Sequence, residues 1–167
     1  KANAGKLLAA SIRDLSTPDI SRATAISNIT PYLDQTNVDM LQRGLQHENA
    51  MVRLASVGAL EGLPQAMLVQ LAFPLLNDPA KMVRIEAARL LAPVPAGELE
   101  GEQLAMYTDA SNEYIDSQQV NADRPEAQLN LGNFYLAKNQ LEVAEKAYGK
   151  AIALDNAFVP AYINLAD

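Results

Sequence analysis

Cysteine is absent from this 167-residue chain, and histidine occurs once, as His47. The first absence removes disulfides, thiolate zinc sites, cysteine nucleophiles and thioether-attached haem from this segment, while leaving the compartment open. The second leaves His47 as the only imidazole available as a general base. A single imidazole beside Glu48, between two apolar stretches, reads as a capping or solvated turn residue, and no Ser-His-Asp pattern surrounds it. The eight glycines are scattered, with no GxGxxG or GxxxxGKS run to cradle a phosphate. An Asp-x-Asp-x-Asp-Gly calcium loop is missing as well. Long apolar runs are also lacking: "AMLVQLAFPLL" is interrupted by Gln70 and Pro74 and falls short of the roughly 18 residues a membrane span needs. No charged-then-apolar signal segment opens the chain, which starts at Lys1 and is expected to be a piece of a longer protein. These exclusions predict a segment that is not an enzyme, holds no cofactor or metal and does not insert into a membrane.

What is present is enough to build a core: 49% of the residues are hydrophobic. The net charge of −7 is unevenly placed. Residues 1–95 contribute +1, from nine Lys/Arg and eight Asp/Glu, and residues 96–167 contribute −8, from four and twelve. An acidic second half repels phosphate backbones, which argues against nucleic acid and favours a basic protein or peptide partner.

The chain repeats itself. A shift of 31 residues places Leu45 on Leu76, Met51 on Met82, Val52 on Val83, Arg53 on Arg84, Leu60 on Leu91 and Pro64 on Pro95. A fainter earlier copy puts Arg22 on Arg53, Ile26 on Val57 and Ile29 on Leu60. Each unit reads as two helices. Pro64 opens a helix through "QAMLVQLAFPLL", kinked at Pro74; "NDP" breaks the chain; a second helix then starts with Asp78 as N-cap and Pro79 in its first turn. Met82 or Val83 with Ala87, Leu90 and Leu91 make the apolar stripe of that second helix. The stretch "NDPAKMVRIEAARLL", through Asp78, Pro79, Val83, Arg84, Ala87, Ala88 and Leu91, resembles the turn and second helix of a HEAT repeat. His47 and Glu48 stand where the preceding unit would carry Asp-Pro. The resemblance implies an Asp–Arg ladder between neighbouring units and hence a structural role for Arg53 and Arg84.

After "PVPAG" at 93–97 the composition turns acidic and the period changes, which sets a boundary between a domain at 1–95 and another at 96–167. Now the shift is 34: Ala127, Leu129, Asn130 and Leu131 fall on Ala161, Ile163, Asn164 and Leu165, while Ala144 and Tyr148 fall on Ala110 and Tyr114. With Leu131, Gly132, Tyr135, Ala144, Tyr148 and Ala151 in pattern positions, this part resembles a tetratricopeptide repeat, with Gln128 replacing an aromatic residue and Asn156 a proline. Both resemblances imply the same fold class: all-α, a right-handed αα superhelix or solenoid of antiparallel helix pairs, HEAT-like and then tetratricopeptide-like. Tyr135, Tyr148 and Tyr162 are then expected in the repeat core.

Tetratricopeptide stacks bind peptides along their first helices. By position that groove would comprise Glu126, Leu129, Asn133, Leu136 and Ala137, followed by Pro160 and Ile163. Asn133 matches the asparagine of peptide-carboxylate-binding members, but Leu129 stands where they carry lysine. Asp109, Glu113 and Asp116, at near-helical spacing, offer an acidic docking surface, whereas Glu98, Glu100 and Glu102 suit a helix start. The expected function is a non-catalytic interaction scaffold. As an alternative, the order of the two repeat types resembles the C-terminal region of large bacterial multihaem cytochrome c-like proteins. That likeness implies a periplasmic electron-transfer parent, with its haem outside this segment, of which this chain would be the docking or assembly arm.

Overall fold

The computed structural model describes residues 2–33 and 38–166. Among them there is no strand, and ten α-helices follow one another: α1 (Ala2–Arg13), α2 (Asp19–Ser27), α3 (Val38–Leu45), α4 (Ala50–Ala59), α5 (Gln65–Ala72), α6 (Lys81–Leu91), α7 (Gly101–Gln119), α8 (Pro125–Ala137), α9 (Leu141–Leu154) and α10 (Val159–Ala166). Four short 3-10 segments lie at Thr30–Tyr32, Leu60–Gly62, Phe73–Asn77 and Ala96–Glu98. The protein is therefore all-α, each helix packing on its neighbours. Composition changes after Pro95; the backbone contacts divide the chain after Leu91, into Lys1–Leu91 and Ala92–Asp167.

In the first unit α2, α4 and α6 form the packed row, α4 lying against both of the others, with α1, α3 and α5 beside them. The 31-residue interval is visible as burial. Ile26, Val57 and Ala88 are all closed to solvent, and so are Ile29, Leu60 and Leu91. Each buried Leu or Ile contributes roughly 1.5–3 kcal/mol, so these two rows hold much of the unit's stability. Met51 and Met82 occupy equivalent places on the other side of the row, 42% and 49% exposed, each followed by a fully buried valine. The stripe of α6 thus runs from Val83, not Met82. Gly44 permits the closest approach of α3 to α4, because a Cβ there would strike the Ser56 side chain.

Two expectations at the third hairpin are corrected. Pro74 does not kink a continuous helix; α5 ends at Ala72, and Pro74 opens the 3-10 segment Phe73–Asn77. A proline has no N–H to donate and its ring crowds the carbonyl four residues back, so the ladder is cut rather than bent. Pro79 lies outside the first turn of α6, which begins at Lys81. Asp78 caps the turn instead, accepting the Ala80 N–H at 2.8 Å, while Val83 and Arg84 donate to the Ala80 carbonyl.

In the second unit α8 and α9 form a tight hairpin, with α7 against α8 and α10 against α9. The turn is made by Asn139 in the left-handed region (φ 58), so that the Gln140 N–H reaches the Tyr135 carbonyl at 2.8 Å. Gly132 lets α9 close on α8: a Cβ there would clash with the edge of the Tyr148 ring. The pairs Ala110 and Ala144, Tyr114 and Tyr148, and Ala127 and Ala161 are buried at the 34-residue interval. Tyr148 lies in the core as expected. Tyr135 is only half-buried, because Phe134 takes the interior place on α8, stacked on Tyr114 at 4.3 Å, and Tyr162 on α10 is exposed. Gln128, in place of an aromatic ring, is buried and donates to the Ala122 carbonyl at 2.9 Å.

Candidate functional site

The proposed groove residues share one side of α8. Glu126, Asn133, Leu136 and Ala137 are exposed and Leu129 half-buried, the successive offsets of three and four keeping them on one face. Pro160 and Ile163 are exposed on α10. Asn133 joins the two helices: its Oδ1 accepts from Tyr148 Oη at 2.9 Å and from Asn164 Nδ2 at 2.6 Å. Its carbonyl end is therefore committed inside the unit. The remaining amide is what it can offer a peptide backbone.

The carboxylates of the acidic half are less uniform than their spacing suggests. Asp109 and Asp116 are exposed on α7; Glu113 is half-buried and held in an interaction of its own. Glu98 lies in the 3-10 segment, Glu100 at the N-cap and Glu102 in the first turn of α7, so only the last two stand at the helix start. Among the described residues no group of three or more His, Asp or Glu could hold a metal ion, and no helix is long and apolar enough to cross a membrane.

Two features were not singled out from the sequence. Lys138 points its ammonium at the Tyr107 ring (4.3 Å to the centroid) and the Phe134 ring (5.3 Å), and donates to Tyr107 Oη at 3.1 Å and Ser111 Oγ at 3.4 Å. Burial pushes its pKa below the ordinary value of 10.5, and burial likewise raises that of Tyr107. The aromatic faces compensate part of the lost hydration. An open cleft of about 740 Å³ runs between α2 and α4, floored by small residues such as Ala23, Ser27, Ala55 and Gly58 and edged by Met51 and Glu86.

The arginines at the 31-residue interval, for which the HEAT resemblance implied a structural role, make bonds of their own. Arg53 Nη1 donates to the carbonyls of His47 and Glu48 (2.7 and 2.9 Å), and Arg84 Nη1 donates to those of Asp78 and Pro79 (2.7 and 3.3 Å): six and five residues back in both cases. Each guanidinium ties down the turn before its own helix. Arg53 also grips Asp78 with two bonds, Nε at 2.7 Å and Nη2 at 2.9 Å. Burial by itself would raise the Asp78 carboxyl, but the bonds from Arg53 and the Ala80 N–H, with the charges of Arg53 and Arg84, hold it below its ordinary 3.8. Arg22 departs from this pattern. Its Nη groups satisfy the carbonyls of Ile12, Asp14 and Thr17 at 3.0–3.1 Å, closing the end of α1, and its Nε has no partner among the described residues, although Arg22 is only 8% exposed. The register explains this orphan. The position that supplies Asp78 to Arg53 supplies His47 to Arg22. Leaving a buried charged donor unpaired costs on the order of 1–3 kcal/mol. The sequence held the signal, in the replacement of Asp-Pro by His47-Glu48, but not the consequence.

In comparisons with protein-family models, curated proteins and solved structures, nothing matches this chain.

Proposed function

We propose that this chain is a non-catalytic interaction module, built as a helical solenoid whose HEAT-like hairpins are followed by tetratricopeptide-like ones, and that it holds a protein or peptide segment on the α8–α10 face. The observation that carries this reading is that face itself. Leu136 on α8 and Ile163 on α10 are 44% and 55% exposed, and the Asn133–Asn164 bond ties the two helices together between them. Exposed apolar side chains on a pre-ordered helical surface, with an amide for backbone contacts, suit an extended segment or a helix laid along the groove. The charge of −8 over residues 96–167 adds long-range attraction for a basic partner and discourages nucleic acid.

The test is capture of interacting proteins from the source organism by the wild-type chain and by a Leu136→Glu/Ile163→Glu variant, at about 50 and 500 mM salt. A genuine docking face yields a partner retained by the wild type, lost by the folded variant and weakened by salt. Equal capture by both proteins would reject the face.

A further inference from the structure

With cysteine absent, all the sulfur of this chain sits in five methionines, and the fold sorts them by access. Met40 is 2% exposed, in the core, whereas close to half of Met51 and of Met82 is open to solvent. From this sorting we infer that Met51 and Met82 are a pair of oxidant-reactive sites, converted to sulfoxides by hydrogen peroxide or a hypohalous acid, and that their oxidation turns an apolar surface edge polar while leaving the fold intact. The inference goes beyond the interaction reading and does not depend on it.

Position accounts for both halves of the claim. Ile20, Met51 and Met82 recur at intervals of 31, each the second residue of its helix (α2, α4 and α6), and all three are exposed. Because α4 packs against both α2 and α6, they make one apolar edge along the row, and Met51 also borders the cleft between α2 and α4. Val52 and Val83, the residues that follow the two methionines, are closed to solvent, so the core is filled from the next position along and takes little from either thioether. A sulfoxide oxygen on that edge meets water. At Met40 the same oxygen would be a polar group placed in the core.

The reaction balances without a cofactor. A sulfur lone pair attacks one oxygen of the peroxide, the O–O bond breaks, that oxygen stays on sulfur, and its proton joins the departing hydroxide as water. Sulfur is oxidised by two electrons and the peroxide is reduced. The side chain changes from a flexible apolar thioether into a polar sulfoxide. The chain has no thiol to consume the oxidant first, so access ranks the methionines. Met67, 36% exposed, and the half-buried Met106 come after the pair, and Met40 last.

The whole chain treated with dilute hydrogen peroxide tests this, with peptide mass spectrometry over time, the thermal midpoint and retention on a hydrophobic-interaction column as readouts. Met51 and Met82 should oxidise at similar rates, and Met40 at least about tenfold more slowly, because the core must open before it reacts. With both exposed methionines oxidised, the midpoint should stay within about 4 °C of the untreated value, and the protein should leave the column earlier. A Met51→Leu/Met82→Leu variant keeps the apolar edge and removes its sulfur, so peroxide should change its elution by less than half as much. Three results would overturn the inference: Met40 reacting as fast as the exposed pair, a larger fall in midpoint while Met40 is still intact, or a leucine variant whose elution changes as much as that of the wild type.

Discussion

Arg53 and Asp78 show how much one side-chain pair can carry. Asp78 is 7% exposed and its two oxygens are held by Arg53 and the Ala80 N–H, so removing the guanidinium strands a buried carboxylate. Arg53→Met should therefore cost about 3 kcal/mol, read from urea unfolding at neutral pH, with the turn at His47–Glu48 loosened as well. The same pair predicts an acid dependence. Because the folded Asp78 pKa lies below its ordinary 3.8, its contribution is complete above that pH and is lost as the pH falls through the lower, folded value. Acid titration of the wild type should show this loss below about pH 4, and the Arg53→Met variant should show less of it. Gly132 is constrained by volume rather than charge. Gly132→Ala would press a methyl group into the Tyr148 ring, and a loss of about 1–3 kcal/mol is expected in the same assay.

Among the elements, the informative comparison is between equivalent helices. In α4 and α6 the exposed methionine and buried valine occupy matching places, so Met51→Ser and Met82→Ser should each change stability by less than about 0.5 kcal/mol. Val52→Ala and Val83→Ala should each cost about 2 kcal/mol, and by nearly the same amount. Unequal costs at the two valines would mean that the 31-residue interval is a likeness of letters without a likeness of packing. The α8–α9 hairpin has its own test. Asn139 adopts a backbone conformation that glycine accepts more readily, and its role there is conformational, so Asn139→Gly should raise the unfolding midpoint slightly, by up to about 1 kcal/mol in stability.

For the whole molecule, charge is the property that no single helix displays. Twelve carboxylates against four basic groups in residues 96–167 repel one another, and screening reduces that cost. Raising sodium chloride from about 50 to 500 mM should increase the thermal midpoint of the free protein while weakening its hold on a basic partner. The two trends have opposite signs because the same field destabilises the chain that carries it and attracts a chain of the other charge. A midpoint that falls with salt would place the dominant electrostatic effect in ion pairs such as Arg53–Asp78 instead.

The sequence by itself determined the helical class, the hairpin spacing, and which rows face inward at intervals of 31 and 34, because amphipathic periodicity and small residues at helix crossings are local properties written along the chain. The HEAT resemblance also implied an Asp–Arg ladder with structural roles for Arg53 and Arg84. Only the tertiary structure decided where particular polar atoms and rings end up. It committed Asn133 to Tyr148 and Asn164, left Tyr162 exposed while burying Phe134, set Lys138 against aromatic faces and left Arg22 Nε without an acceptor. Those outcomes depend on rotamers and on groups brought together from distant parts of the chain. Periodicity says which side of a helix turns inward, but not which atom meets which.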